Sequence, residues 1–365
     1  MTDRLYVTYE YFGAGPQEVA DFIRVEQSIE FPFDLAPTWI QNEVVGKIES
    51  ITEIGEGLHQ ICISYLAGNT GGELPQLLNV LWGNVSLVPN VRLVDVVLPE
   101  SITRSFKGPR FGIQGLRKHF GASERPLLTT ALKPMGSSSE TLAEMARTLA
   151  LAGFDLIKDD HSLANQPWSK WRERVEVVSR AVNEANDVTG KQCAYAPSLN
   201  LPFDQLHKAA RTAKSLGAGS LLVLPGITGF DSMRTLSEDD SIGLPIQAHP
   251  ALLGSYVSSP KNGVSHGILF GLLARLAGAD ITIFPNTGGR FSFTPEQCEE
   301  IRERAQRPLD EIKPIWVAPA GGMTLEKIPE ILKAYGKDCA LLIGGALSRG
   351  DLASNASAMV RAVEA

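Results

Sequence analysis

The chain has 365 residues, 44% of them hydrophobic, and it carries 34 Lys and Arg against 41 Asp and Glu, for a formal net charge of -7 at pH 7. A chain of this length buries a sizeable core in one large domain, or in a large and a small one, and needs no disulfide to fold. Its basic residues are scattered, which argues against nucleic acid or an anionic membrane as a partner and favours a small molecule.

The cysteines and the apolar segments indicate the compartment. Four cysteines stand far apart without metal-type spacing, at Cys62, Cys193, Cys298 and Cys339. Such spacing is typical of buried thiols in a reducing compartment. The most apolar segment, GILFGLLARLAGADITIF, is interrupted by Arg275 and Asp280, and the N-terminus lacks the features of a signal peptide. We therefore expect a soluble, cytoplasmic protein with no membrane partner.

The first part of the chain alternates between strand and helix patterns in the order strand, helix, hairpin, helix, strand. The strands are predicted at 4–12, 44–54, 58–66 and 91–99, and the helices at 17–28 and 74–83. This is the split βαβ order of ferredoxin-like domains. We predict such an α+β domain over residues 1–122.

The rest of the chain repeats a short apolar strand followed by an amphipathic helix. The predicted strands are 127–133, 154–160, 193–198, 220–225, 244–249, 280–285, 315–322 and 340–345. Eight such units are the number that a TIM (β/α)8 barrel requires. We predict that residues 123–365 form this barrel, with the chemistry in it.

Local signals place the barrel helices. Ser137 with Glu140, and Thr294 with Gln297, have the spacing of capping boxes. The helix after the second strand should bury one apolar stripe, formed by Trp168, Trp171, Val175, Val178 and Val182.

Polar residues at the ends of the barrel strands are the candidate catalytic groups, because TIM-barrel active sites lie at the carboxyl ends of the strands. They are Lys133, the cluster from Lys158 to His161, His249 and Asn286. Since side chains alternate along a strand, Lys158 and Asp160 should face one side and Asp159 the other.

Glycine pairs end the last two strands, Gly321-Gly322 and Gly344-Gly345. TIM barrels often bind phosphate in these two loops, where bare backbone N–H groups approach the oxygens. The pairs also fit tight turns without a ligand. Finding a pair in both loops favours phosphate.

The lysine and carboxylate at the barrel mouth have two interpretations. They form either a plain ion pair or, because Asp160 offers the hard oxygen that Mg²⁺ prefers, part of a metal site. An ammonium group cannot bind a cation. A lysine whose pKa is lowered by burial can react with CO2, and the resulting carbamate is a carboxylate-like ligand.

At this point the residues resemble a known family. The stretch GFDLIKDDHSLANQPW resembles the metal-site motif of the ribulose bisphosphate carboxylase (RuBisCO) large subunit. Further ordered matches are LWGN, FKGPRFGIQGLR, ALKP, AGG and LIGG. The resemblance covers both predicted domains.

The resemblance implies a role for each matched residue. Lys158, as its carbamate, would bind Mg²⁺ or Mn²⁺ with Asp160 and His161. Lys133, which matches the family's catalytic lysine, or the Lys158 carbamate would abstract the proton in enolisation. Gly321, Gly322, Gly344, Gly345 and His249 would bind the substrate and its phosphate. Asn84 and Glu26 would act in the neighbouring subunit's site of a homodimer.

Several departures from the family pattern argue against CO2 fixation. Met135 is nearest to the position of a second lysine, Pro250 follows His249 where the family has arginine, and Ile283 is near the place of a histidine. Arg290 replaces the mobile-loop lysine, and His161 replaces a glutamate ligand. His161 would either bind the metal or hydrogen-bond the carbamate, leaving a water as the third ligand.

The pattern therefore indicates a RuBisCO-like protein of form IV that enolises a phosphorylated keto-sugar or a related compound in a metal-dependent reaction. Arg290 suits an acidic substrate and keeps a second reading open, a decarboxylase or transcarboxylase of a phosphorylated 3-oxo sugar acid. A catalytically inactive binding or regulatory protein is the third reading.

Overall fold

The computed structural model describes residues 3–291 and 293–364. The chain forms two compact units. The N-terminal unit contains the residues up to Lys107, with 252–269 and 309–312. The barrel unit contains residues 108–251, 270–308 and those from Lys313 onwards.

The described residues form strands and helices that we number in chain order. The strands are β1 (Arg4–Phe12), β2 (Lys47–Gly55), β3 (Leu58–Leu66), β4 (Val91–Val97), β5 (Leu127–Leu132), β6 (Leu156–Asp159), β7 (Ala194–Ala196), β8 (Leu221–Val223), β9 (Ile246–Ala248), β10 (Gly263–Val264), β11 (Ile281–Pro285), β12 (Trp316–Ala320) and β13 (Ala340–Ile343). The helices are α1 (Pro16–Glu26), α2 (Leu74–Trp82), α3 (Glu100–Thr103), α4 (Gly112–Phe120), α5 (Ser139–Ala152), α6 (Trp171–Thr189), α7 (Leu206–Ser215), α8 (Pro225–Thr228), α9 (Phe230–Glu238), α10 (Ala274–Leu276), α11 (Pro295–Gln306), α12 (Ile328–Tyr335) and α13 (Leu352–Glu364). None of the helices in the described ranges is long and apolar enough to cross a membrane.

The N-terminal unit is built on one sheet with the strand order β10-β4-β1-β3-β2. Strands β1 to β4 pair antiparallel, and the short β10 adds in parallel to β4. Alternate residues of β1, Leu5, Val7 and Tyr9, are fully buried. The Tyr9 hydroxyl donates to the carbonyl of Leu81, 2.9 Å away, and so ties α2 to the sheet. The predicted ferredoxin-like order is confirmed.

The barrel unit is an eight-stranded parallel sheet with the order β7-β6-β5-β13-β12-β11-β9-β8. A bridge between Ser198 and Leu222 joins its two ends, which closes the barrel. Alternate strand residues such as Leu156, Ile281 and Trp316 pack in one central core. The predicted TIM barrel is confirmed, because each predicted strand contains one of its strands.

Two local predictions are wrong in detail. Helix α5 is capped by Ser138, whose hydroxyl accepts from the Thr141 N–H, and not by Ser137. Trp168 precedes α6 and is 47% exposed, so the buried stripe of this helix begins at Trp171. The capping box of Thr294 and Gln297 is confirmed.

Helix α4 lies at the amino-terminal end of the barrel, where Asp280 holds it. The helix contributes Ile113, Leu116 and Phe120 to the barrel core, where they join strand residues such as Leu127. Asp280 is fully buried, and its Oδ1 accepts from the N–H groups of Phe111 at 2.7 Å and Gly112 at 2.9 Å, while its Oδ2 accepts from Ile246 at 3.1 Å. A carboxylate at a helix amino terminus satisfies N–H groups that have no partner within the helix.

Replacing Asp280 by alanine should lower the free energy of unfolding by about 3 kcal/mol, because buried N–H groups lose their acceptor. Burial raises the pKa of Asp280 to about 6, so urea unfolding at pH 8 would compare ionised forms. Asp240→Ala removes an exposed carboxylate that pairs with Arg110 at 2.8 Å and should cost under about 1 kcal/mol. Equal losses for the two variants would contradict the role given to Asp280.

Candidate active site

Strand β6 sorts its charged residues onto opposite faces. Asp159 turns away from the barrel interior, and its carboxylate accepts from Arg174 Nε at 3.2 Å, the Tyr195 hydroxyl at 2.7 Å and the Ser198 N–H at 3.0 Å. The Asp159 and Arg174 side chains are both fully buried. With Asp159 fixed outside, its neighbours Lys158 and Asp160 face the barrel mouth, as strand alternation requires.

Arg174 also holds the loop that follows β6. Its guanidinium donates to the carbonyl of Ser169 at 3.0 Å and to that of Ala164 at 2.8 Å. A single side chain on α6 therefore ties together the end of the strand and the loop that begins with His161. The planar guanidinium, with five N–H groups, suits this role better than a lysine would.

Lys158 is a buried amine at the bottom of the site. It is 2% exposed, and its Nζ donates to the carbonyl of Asp159 at 3.1 Å. Burial lowers the pKa of Lys158 to about 8, and the negative charge of Asp160 only partly opposes this effect. A substantial fraction of the amine is therefore neutral, and hence nucleophilic, near pH 8.

Asp160 is the point where the polar groups of the site meet. One of its oxygens lies 3.0 Å from Lys133 Nζ and 3.4 Å from His161 Nδ1, and the other accepts from the Ser162 hydroxyl at 2.8 Å. Burial by itself would raise the pKa of Asp160. The hydrogen bonds from His161 and Ser162, with the charge of Lys133, outweigh that effect and lower the pKa far below its usual value.

His161 turns back over the site and stacks on His249. The two rings are nearly parallel, with an angle of 11° and 4.6 Å between their centres. His249 Nδ1 accepts from the Ala251 N–H at 3.1 Å, which places the ring hydrogen of the neutral form on Nε2. Burial, together with the positive charge of Lys158, lowers the pKa of His249 to about 2. His249 is therefore a neutral imidazole in this site.

The backbone requires glycine at Gly321-Gly322 but not at Gly344-Gly345. Gly321 and Gly322 have φ values of +95° and +66°, which other residues rarely adopt. They pack against a third pair that the sequence reasoning did not use, Gly288-Gly289, since a Cβ on Gly289 would lie 3.3 Å from the Gly321 carbonyl carbon. A Cβ on Gly344 or Gly345 would meet nothing within 4 Å. The last pair thus leaves open space above the barrel.

Three other candidates make contacts of their own. Arg290 is exposed and places its guanidinium 4.9 Å from the centre of the Phe291 ring. In the N-terminal unit, the Asn84 amide donates to a Glu26 carboxylate oxygen at 2.8 Å. These two side chains therefore meet each other, although they are 58 residues apart.

The site has the groups that a lysine carbamate needs, although in the described part of the chain no three His, Cys, Asp or Glu side chains are grouped to hold a metal. The Ser198 hydroxyl and the Gln247 amide nitrogen are buried without a hydrogen-bond partner among these residues. Ser198 lies two residues after Ala196, the β7 partner of Lys158, whereas Gln247 lies within β9 beside Ile281, the first residue of β11. A carbamate on Lys158 would bring acceptor oxygens to the strand pair that the Ser198 hydroxyl follows.

Comparison with known proteins agrees with the fold. The catalytic domain of the ribulose bisphosphate carboxylase large chain matches residues 112–365. The chain belongs to this family.

Its relatives include RuBisCO-like enzymes. Over 370 aligned residues, covering 100% of this chain and 97% of the relative, it is 39% identical to the 5-methylthioribulose-1-phosphate isomerase of Rhodospirillum rubrum. It is 35% identical to the 2,3-diketo-5-methylthiopentyl-1-phosphate enolase of Bacillus licheniformis, over 84% of this chain and 76% of that protein. The crystal structure of a RuBisCO-like protein from Rhodopseudomonas palustris aligns with a TM-score of 0.91 and 36% identity, covering 100% of this chain and 98% of the other.

Replacing Arg174 by methionine should lower the free energy of unfolding by about 3 to 5 kcal/mol, because Asp159 would keep a buried charge without its partner. Urea unfolding measures this loss. Arg172→Met changes an exposed arginine on the same helix and should have an effect of about 0.5 kcal/mol or less. If both variants unfold alike, Asp159 is not held by Arg174.

Proposed function

We propose that the protein catalyses the metal-dependent enolisation of a small phosphorylated keto-sugar or a related compound, and that it does not fix CO2. The observation that carries this proposal is the buried Lys158, with its pKa lowered to about 8, in one cluster with Asp160, His161 and Lys133. A structural ion pair has no need of a buried amine beside a second lysine. The similarity to an isomerase and an enolase of phosphorylated methylthio compounds supports the same class of reaction.

The residues that would hold the metal are Lys158, as its carbamate, and Asp160. Mg²⁺ or Mn²⁺ bound there would polarise the substrate carbonyl and stabilise the enediolate oxygen. His161 would either complete the ligand set, which favours Mn²⁺, or hydrogen-bond the carbamate.

Lys133 is the first candidate for the base that removes the α proton. Its Nζ lies 3.0 Å from Asp160, and an ammonium in such an ion pair has no lone pair to accept a proton. Catalysis therefore requires Lys133 to leave Asp160 and lose its proton. The Lys158 carbamate is the second candidate, because its oxygens would lie in the same cluster.

The phosphate of the substrate would bind at the glycine loops. Gly344 and Gly345 follow β13 directly, and their backbone lies in open space. Bare N–H groups there would hold the phosphate and so orient the carbonyl over the metal. The half-buried, neutral His249, which follows β9, would contact the substrate as well.

The assembly is proposed to be a homodimer in which Asn84 and Glu26 complete the partner's site. Their mutual hydrogen bond of 2.8 Å pre-orients both side chains. This proposal rests on the RuBisCO family resemblance.

Metal binding tests the proposed site directly. Titration calorimetry with Mg²⁺ and Mn²⁺ should show binding that needs bicarbonate and is lost in Lys158→Ala. At constant dissolved CO2, binding should strengthen continuously from pH 7 to pH 9, because only the neutral amine reacts and carbamate formation releases a proton. The lowered pKa of Lys158, about 8, lies in this range. Lys133→Met should still bind metal but exchange deuterium into 5-methylthioribulose 1-phosphate about 100-fold more slowly than the wild type, or worse.

The metal-binding and deuterium-exchange results distinguish a metal-dependent enolase from a binding protein. Absence of divalent binding in every one of these conditions would contradict the enolase proposal and favour a binding protein. Binding without any deuterium exchange would contradict the substrate class but not the metal site.

Gly345→Ala tests the phosphate site. Gly345 has no positive φ, and a Cβ there meets nothing within 4 Å, so the variant should unfold like the wild type. Its KM for the phosphorylated substrate should increase about tenfold, since a methyl group would stand between the phosphate and the backbone. Gly254→Ala, which is equally unconstrained, is the matched control. An unchanged KM in Gly345→Ala would place the phosphate elsewhere.

A further inference from the structure

A small cavity lies on the outer side of the barrel, between helices α11 and α12 and the end of β11. Its volume is about 160 Å³, and its lining includes Asn286, Cys298, Lys327, Glu330, Ala334 and Tyr335. A protein cavity of about 150 Å³ holds a molecule as large as benzene. This space therefore suits a ligand of about six to eight non-hydrogen atoms.

Asn286 does not face the barrel interior. It follows β11, whose inward residues Ile281 and Ile283 belong to the barrel core, and its side chain lies among the helices instead. Its Oδ1 accepts from the Tyr335 hydroxyl at 2.7 Å. Asn286 is therefore separate from the catalytic cluster around Lys158.

The amide nitrogen of Asn286 is a hydrogen-bond donor available to a ligand in the cavity. The residue is 8% exposed, and none of the hydrogen bonds within 3–291 and 293–364 uses its Nδ2, although the amide group lines the cavity. Nδ2 is thus open to the cavity and can donate to a ligand there. The Tyr335 hydroxyl oxygen can also accept a hydrogen bond, because its proton is given to Asn286.

The rim of the cavity carries charges of both signs. Lys327 lies close to the loop after β11, since its Nζ would be 3.6 Å from a Cβ built on Gly288. Glu330 is exposed one turn further along the chain, and neither side chain forms an ion pair within the described residues. The aliphatic side chains of Ile331 and Ala334 form an apolar wall between these groups.

We propose that this cavity binds a small aliphatic amino acid. Its carboxylate would accept from the Asn286 amide and pair with Lys327, its ammonium would pair with Glu330, and its side chain would pack on Ile331 and Ala334. Charge-assisted hydrogen bonds of this kind are roughly twice as strong as neutral ones. The proposal is independent of the reaction at Lys158.

Titration calorimetry or ligand-observed NMR with L-valine tests the site on the full-length protein. We expect L-valine to bind at millimolar concentrations, and isovalerate and isobutylamine, which each lack one of its charges, to bind at least tenfold more weakly. Lys327→Met should weaken L-valine binding about tenfold, and Ala334→Leu should abolish it by filling the cavity. Lys333→Met changes an exposed lysine on α12, the helix that Lys327 precedes. It is the control and should bind L-valine normally.

Glu330→Gln provides a second test that does not disturb the packing, because this side chain is exposed. This variant should weaken the binding of L-valine without changing the binding of isovalerate, which has no ammonium group to pair with Glu330. Binding that survives in Ala334→Leu, or equal binding of the three probes, would overturn the proposal. So would the absence of L-valine binding to the wild type.

Discussion

The buried pairing of Asp159 with Arg174 is the interaction on which the site depends. Both side chains are fully removed from water, and the carboxylate also accepts from Tyr195 and Ser198. Such a pair does not repay its desolvation as net stability unless its hydrogen bonds are all made. Here they are made, and their effect is positional: the strand cannot rotate, so Lys158 and Asp160 must face the barrel mouth.

From that constraint follows the electrostatic character of the site. Lys158 is placed where water cannot reach it, which lowers the pKa of its amine, while Asp160 at the edge keeps its charge through three polar neighbours. Lys158 loses its proton more easily than an ordinary lysine, and Asp160 is harder to protonate than an ordinary aspartate. Groups whose pKa values are pushed in opposite useful directions are typical of catalytic sites.

The barrel uses its two ends for different purposes. At the amino-terminal end, the Asp280 carboxylate accepts hydrogen bonds from the backbone N–H groups of Phe111, Gly112 and Ile246, which stabilises the fold. At the carboxyl-terminal end, the Ser198 hydroxyl, which follows β7, is buried without a hydrogen-bond partner among the described residues. An unsatisfied buried group is costly, and this one follows Ala196, the β7 partner of Lys158, on which the carbamate is proposed.

The sequence determined the two sheets, the eight barrel strands and the alternation at Lys158, Asp159 and Asp160, because these depend on local apolar periods that the chain carries itself. Its motifs also led to the family. The predicted start of α5 differs from the observed one by one residue. Ser137 and Ser138 are equally good N-cap residues, and only the packing of the helix determines which of them caps it.

The tertiary structure alone decided three further points. His161 and His249 stack although they are 88 positions apart, because closure of the barrel brings β6 and β9 to one mouth. Gly288-Gly289 packs on Gly321-Gly322 through a contact between neighbouring loops. Asn286 accepts a hydrogen bond from Tyr335, 49 positions further on, because the fold brings α12 against the end of β11. No local period in the sequence encodes such contacts, since they depend on how distant segments are brought together.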